Sequence, residues 1–70
     1  MTHVAKIIEL VGSSDKGWTE AAQTALDEAA KTIKDITGIE VNDITASVDP
    51  NTNKIKEYKV GVKIAFGVQQ

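Results

Sequence analysis

The segment Gly12-Ser13-Ser14-Asp15-Lys16-Gly17-Trp18-Thr19 comes nearest to a chemical motif in this chain. It lies between a strand-like and a helix-like stretch and imitates the phosphate-binding pattern G-x-x-x-x-G-K-[ST], in which backbone N–H groups cradle phosphate oxygens and a lysine reaches the terminal phosphates. Trp18 stands where that lysine has to be. The chain is also too short for the nucleotide-hydrolysing fold, so only a weak anion preference at a helix N-terminus survives. A second imitation is Asp49-Pro50-Asn51-Thr52-Asn53, with oxygen-bearing side chains spaced as at the start of a calcium loop. Lys54 replaces the glycine of that loop and Val60 its bidentate glutamate, so an ordinary hairpin turn is the stronger reading.

Catalysis needs a base with partners, and the one imidazole, His3, sits near the terminus with none in evidence. Ser13, Ser14 and the threonines read as caps and turn residues. Asp27 and Glu28 read as a solvated helix face rather than an acid–base pair. Trp18 reads as a core or interface anchor before it reads as a stacking platform for a ligand. With no cysteine and one histidine a metal cluster is not expected. The expectation is a protein that is not an enzyme.

The elements that would position these residues are few. Residues 2–11 carry β-branched and apolar side chains in both parities, which predicts a first strand ending at Gly12 and covered at least partly on both faces. Trp18, Ala22, Ala25, Leu26, Ala29, Ile33 and Ile36 recur at three- and four-residue steps, predicting a helix from about Gly17 to Ile36. Ser14 or Asp15 is expected to cap its start, and Thr37-Gly38 its end through a left-handed glycine. From Ile39 to Asp49 the pattern is a strand with a fault in its phase: Ile39 and Val41 are apolar at odd positions, Ile44, Ala46 and Val48 at even ones. A bulge or sharp twist near Asn42-Asp43 would restore one inner face. Asp49–Asn53 is a turn by composition, and Ile55–Val68 alternates cleanly, with Tyr58, Val60, Val62, Ile64, Phe66 and Val68 on one face. The fold class is α+β, in the order β-α-β-β, as a single domain over residues 1–70.

A chain of 70 residues builds a core only marginally able to offset the entropy of ordering it, and there is no disulfide to help. Self-association is therefore the expected staple, with Gly61, Ala65 and Gly67 making the second face of the sheet approachable. A net charge of −2 and a sequence pI near 5.2 speak against nucleic acid as a partner. Lys54, Lys56, Lys59 and Lys63 read as a solvated or oligomer-facing surface rather than a phosphate track. No apolar run approaches the ~20 residues of a membrane span and no signal peptide begins the chain, so a cytoplasmic location is expected.

Four segments carry a family resemblance: V-A-K-I-I-E-L-V-G-S-S from Val4, W-T-E-A-A-Q-T-A-L-D-E-A-A-K-T-I from Trp18, I-E-V after Gly38, and E-Y-K-V-G-V-K-I-A-F from Glu57. Together, in order and over nearly the whole chain, they resemble the dodecins. The resemblance implies a three-stranded antiparallel sheet wrapping one helix, and a hollow homododecamer. It also implies a flavin (FMN or riboflavin) held as paired rings between subunits, on a tryptophan at the start of the second strand and a glutamine of the third. The role implied is storing or quenching flavin; some members bind coenzyme A or cations instead. Matched residue by residue, Gly38 takes the place of the stacking tryptophan and Lys59 that of the glutamine, while Asp43 matches an acidic position near the flavin or metal site. Gly38, Asp43 and Lys59 are thus the candidate cofactor-binding residues, for a small ligand bound weakly or in an altered pose. A lysine at 59 favours an anionic ligand such as a phosphate-bearing nucleotide, unless it only pairs with a carboxylate of a neighbouring subunit. The alternative is an assembly that binds cations or is structural.

Overall fold

The structure, a computed structural model, describes residues 4–68. Thr2 and His3, assigned above to the first strand, lie outside the described residues. The elements are β1 (Val4–Ser14), α1 (Trp18–Ala30), β2 (Ile36–Asp49) and β3 (Lys54–Val68). The clean alternation of β3 makes it the central strand: both neighbours run antiparallel to it in the order β1-β3-β2. Its Val60, Val62 and Ile64 are buried against Ala21, Ala25 and Ala29 of α1. Ile8, Leu10, Ala22, Leu26, Ile33 and Ile36 close around that core.

Four expectations about ends and caps are corrected. Gly12 does not stop β1, which runs on to Ser14. Its value is close approach, since a Cβ there would run into the backbone carbonyl of Ala21. The helix ends at Ala30, not Ile36, as Lys31 and Thr32 tighten into short-range bonds to Glu28 and Ala29 carbonyls at 3.3 and 3.2 Å. Asp35 then takes the left-handed conformation, φ 62°, and its carbonyl accepts the Gly67 N–H at 3.0 Å. Thr37-Gly38 caps nothing: both lie in β2, and no glycine has a positive φ among the described residues. Ile33 and Ile36 misled the periodicity because they still reach the core from the turn and from β2. At the other end the helix starts after Gly17 with no side-chain cap, and the Ser14 hydroxyl instead accepts the Lys16 N–H at 3.0 Å.

The phase fault in β2 is a bulge as expected, but it does not restore one inner face: Ile44 and Val48 stay exposed, and a second irregularity follows Ser47. Asn42 pairs with Gly61 and Thr45 with Lys59, which leaves one extra residue on β2, and Asp43 adopts φ 47°. At the hairpin turn the Asp49 carboxylate accepts the Asn51 N–H at 2.9 Å and the Asp49 carbonyl accepts the Asn53 N–H at 2.8 Å.

Candidate functional site

With α1 on one side, the sheet's outer face is built from the strand residues of opposite parity. Strand pairing groups them into rows: Ile7, Ala65 and Gly38; Glu9, Lys63 and Glu40; Val11, Gly61 and Asn42; Ser13, Lys59 and Thr45. All three candidate residues belong to this side or its bulge. They are not brought together. Gly38 opposes Ala65 while Lys59 opposes Thr45, and the intervening stretch of β3 is about 20 Å long at ~3.3 Å per residue.

Gly38 is exposed, and a Cβ built on it meets nothing within 4 Å. The position offers room for a large side chain and supplies no ring of its own. Lys59 is half-exposed and lies 3.7 Å from the Glu57 carboxylate on its own strand. Its charge therefore has an internal partner, so no neighbouring subunit is needed to balance it. Lys63 likewise lies 3.9 Å from Glu9 and directly opposite Glu40. A row of carboxylate, ammonium and carboxylate thus crosses the face, which fits a solvated or subunit-facing surface better than a phosphate track.

Asp43 sits where the bulge lifts β2 over Gly61. The Asn42 side-chain amide, oriented by its partners, donates to Asp43 Oδ2 at 3.1 Å and to the Gly61 carbonyl at 3.3 Å. A Cβ on Gly61 would come within 2.7 Å of that amide and 3.4 Å of the Asp43 side chain. Glu9, Val11, Asn42, Asp43, Gly61 and Lys63 line an open groove of about 290 Å³ here. Asn42 and Gly61 escaped the sequence reading as site residues, although the phase fault pointed to their neighbourhood.

Trp18 is on the helix side of the sheet, 38% exposed. Its ring meets Tyr58 edge-on, centroids 4.7 Å apart at 77°, and its Nε1–H donates to the Thr45 carbonyl at 2.9 Å. The ring contact and the N–H bond tie Trp18 to β3 and β2, as an anchor requires. Among the described residues there is no group of three or more acidic, histidine or cysteine side chains able to hold a metal ion, and no helix is long and apolar enough to cross a membrane.

Comparison with known proteins agrees with this geometry. The Dodecin family model matches residues 4–69. A dodecin from Thermus thermophilus is 34% identical over 70 residues, covering 100% of this chain and 99% of that protein. The crystal structure of an Arg-to-Ala variant of the T. thermophilus dodecin superposes with a TM-score of 0.90 at 33% identity, covering 99% of this chain and 100% of that one. A dodecin from Streptomyces davaonensis shares the fold with a TM-score of 0.89 at 20% identity, over 100% of both chains. A sheet with one helix on one face, its outer face open and its full length matched by a family model, leaves one assignment: the chain belongs to the dodecin family.

Proposed function

We propose that this protein is a non-catalytic, self-assembling binder of a small cofactor, a flavin or a related phosphate-bearing nucleotide, held between copies of the chain in a homododecamer. The observation that carries the reading is apolar surface that one chain cannot cover. Ile7 and Val11 on the outer face are 63% and 75% exposed, and Ile39 and Val41 on the helix side remain uncovered because α1 lies over β1 and β3. Burying side chains of this size is worth roughly 1.5–3 kcal/mol each, and further copies of the same chain are the partners that family membership supplies. The separation of Gly38 from Lys59 argues in the same direction, since a ligand touching both has to be held by residues of two chains.

Gly38 shapes the ligand mode. With no ring at that position a planar cofactor loses its stacking partner, an effect of ~1 kcal/mol beyond area burial, so binding is weak or its pose differs. Titration of riboflavin and FMN, followed by quenching of flavin fluorescence, tests this. Quenching that is stronger for FMN than for riboflavin is expected if Lys59 meets the phosphate. Absence of quenching with both refutes the flavin reading and leaves the cation-binding or structural assembly as the second reading.

A further inference from the structure

Between Asn42 and Val48 the ladder takes a path that its flanks do not require. Asn42 pairs with Gly61 and Val48 with Ile55. Stepping residue by residue along both strands from the first pair arrives at the second with nothing left over on either. The residue count of the two strands therefore permits a straight, unbulged ladder. The observed one departs from it: Thr45, Ala46 and Ser47 oppose Lys59, Tyr58 and Glu57, one place out of step with the pairs on both sides. Two compensating irregularities bound the shifted segment, an extra residue on β2 after Asn42 and an extra residue, Lys56, on β3.

The two registers present different chemistry, because a slip of one residue exchanges the faces of a strand. In the observed register Thr45 stands beside Lys59 on the outer face and Ala46 beside Tyr58 on the helix side. In the straight register Ile44 would oppose Lys59, Thr45 would oppose Tyr58, and Asp43 would oppose Val60, which is fully buried in the core. The acidic side chain would leave the groove at Gly61.

Opposing terms bear on the choice, and the straight register carries the added cost of bringing the Asp43 carboxylate beside buried Val60. Against the observed register stand the left-handed conformation of Asp43, costly for a residue with a Cβ, and the ladder bonds lost at two irregularities. For it stand the Asn42 amide bonded across Gly61 and the apolar match of Ala46 with Tyr58. Trp18 adds a contact from outside the hairpin, an N–H bond to the carbonyl of Thr45, the first residue of the shifted segment, with its ring seated on Tyr58. We propose that Thr45–Ser47 is a two-register segment and that Trp18 is the positioning residue that latches it in the shifted register. The start of the helix thereby decides whether Asp43 occupies the outer groove.

The chain has no cysteine, so engineered pairs can report register without competing thiols. Thr45→Cys with Lys59→Cys reports the shifted register, and Ile44→Cys with Lys59→Cys the straight one. Each pair is oxidised mildly and scored in the band that runs as a single chain on a non-reducing denaturing gel. With Trp18 present, the shifted pair should cross-link at least tenfold faster than the straight pair. Trp18→Phe keeps a ring against Tyr58 and removes the N–H, and should narrow that ratio threefold or more while the circular dichroism spectrum is unchanged. An unchanged ratio overturns the latch, and a straight pair that never cross-links in either background overturns the two registers. Should Trp18→Phe not fold, Asp43→Val carries the test of the two registers with Trp18 intact. A β-branched residue resists the left-handed conformation, so straight-register cross-linking must rise, and no rise overturns the proposal. No cofactor is present in these samples, so the outcome is independent of the ligand reading above.

Discussion

Gly38 and Asp35 separate two roles that a glycine after a helix can have. The left-handed turn expected at Gly38 is made by Asp35, at φ 62°. Asp35→Gly should therefore leave stability unchanged or raise it by up to ~1 kcal/mol, by relieving a conformation that costs a Cβ-bearing residue ~1–2 kcal/mol. Gly38→Ala should also be neutral or slightly stabilising, since the position is extended and unobstructed. Urea melts of both variants check this, and a loss of more than 1 kcal/mol in Gly38→Ala would restore the capping role. At the same position, Gly38→Trp combined with Lys59→Gln should tighten flavin binding by about fivefold, the equivalent of ~1 kcal/mol of stacking. No gain in a fluorescence titration would mean that these residues do not occupy the ligand positions assigned to them. Gly61 has the opposite character to Gly38: Gly61→Ala crowds the Asn42 amide and should cost ~1–3 kcal/mol, read as a lower denaturation midpoint.

At the level of elements, what the sequence made legible depended on how local its physical cause was. The alternation of β3, the turn at Asp49–Asn53 and the bulge at Asn42-Asp43 were readable because the pattern of period two is set residue by residue. The helix end was not, because Ile33 and Ile36 keep the helical spacing while reaching the core from a turn and a strand. Gly12 looked like punctuation, yet its cause is the backbone of α1 lying against it, a tertiary fact that no local pattern carries. Gly12→Val should push the helix off the sheet and lower the thermal midpoint strongly, whereas Gly17→Ala meets only the movable Glu20 side chain and should do little. The candidate positions were likewise only partly legible: Asp43 was named through the family resemblance and the phase fault marked only the bulge beside it, while its lock to Asn42 and Gly61, and the bond from Trp18 to Thr45 across 27 positions of sequence, depend on pairing.

The molecule as a whole is a thin plate, 57 × 20 × 13 Å. A body of that shape has little interior, and here the interior holds three alanines, two valines and an isoleucine with no buried polar or charged side chain among the described residues. Size-exclusion chromatography with light scattering should accordingly find an assembly, and a stable 7.5 kDa species would contradict it. The same thin core has a thermodynamic consequence. If most of the stabilising contact lies between chains, folding obeys mass action, and the melting temperature is a property of the solution as much as of the sequence. Diluting the protein a hundredfold should lower the midpoint measurably, while a single-chain fold held by its own core would melt at the same temperature at every concentration. In such an assembly, the alanine face that lets the sheet close so tightly on its helix would make thermal stability a measure of how many copies are present.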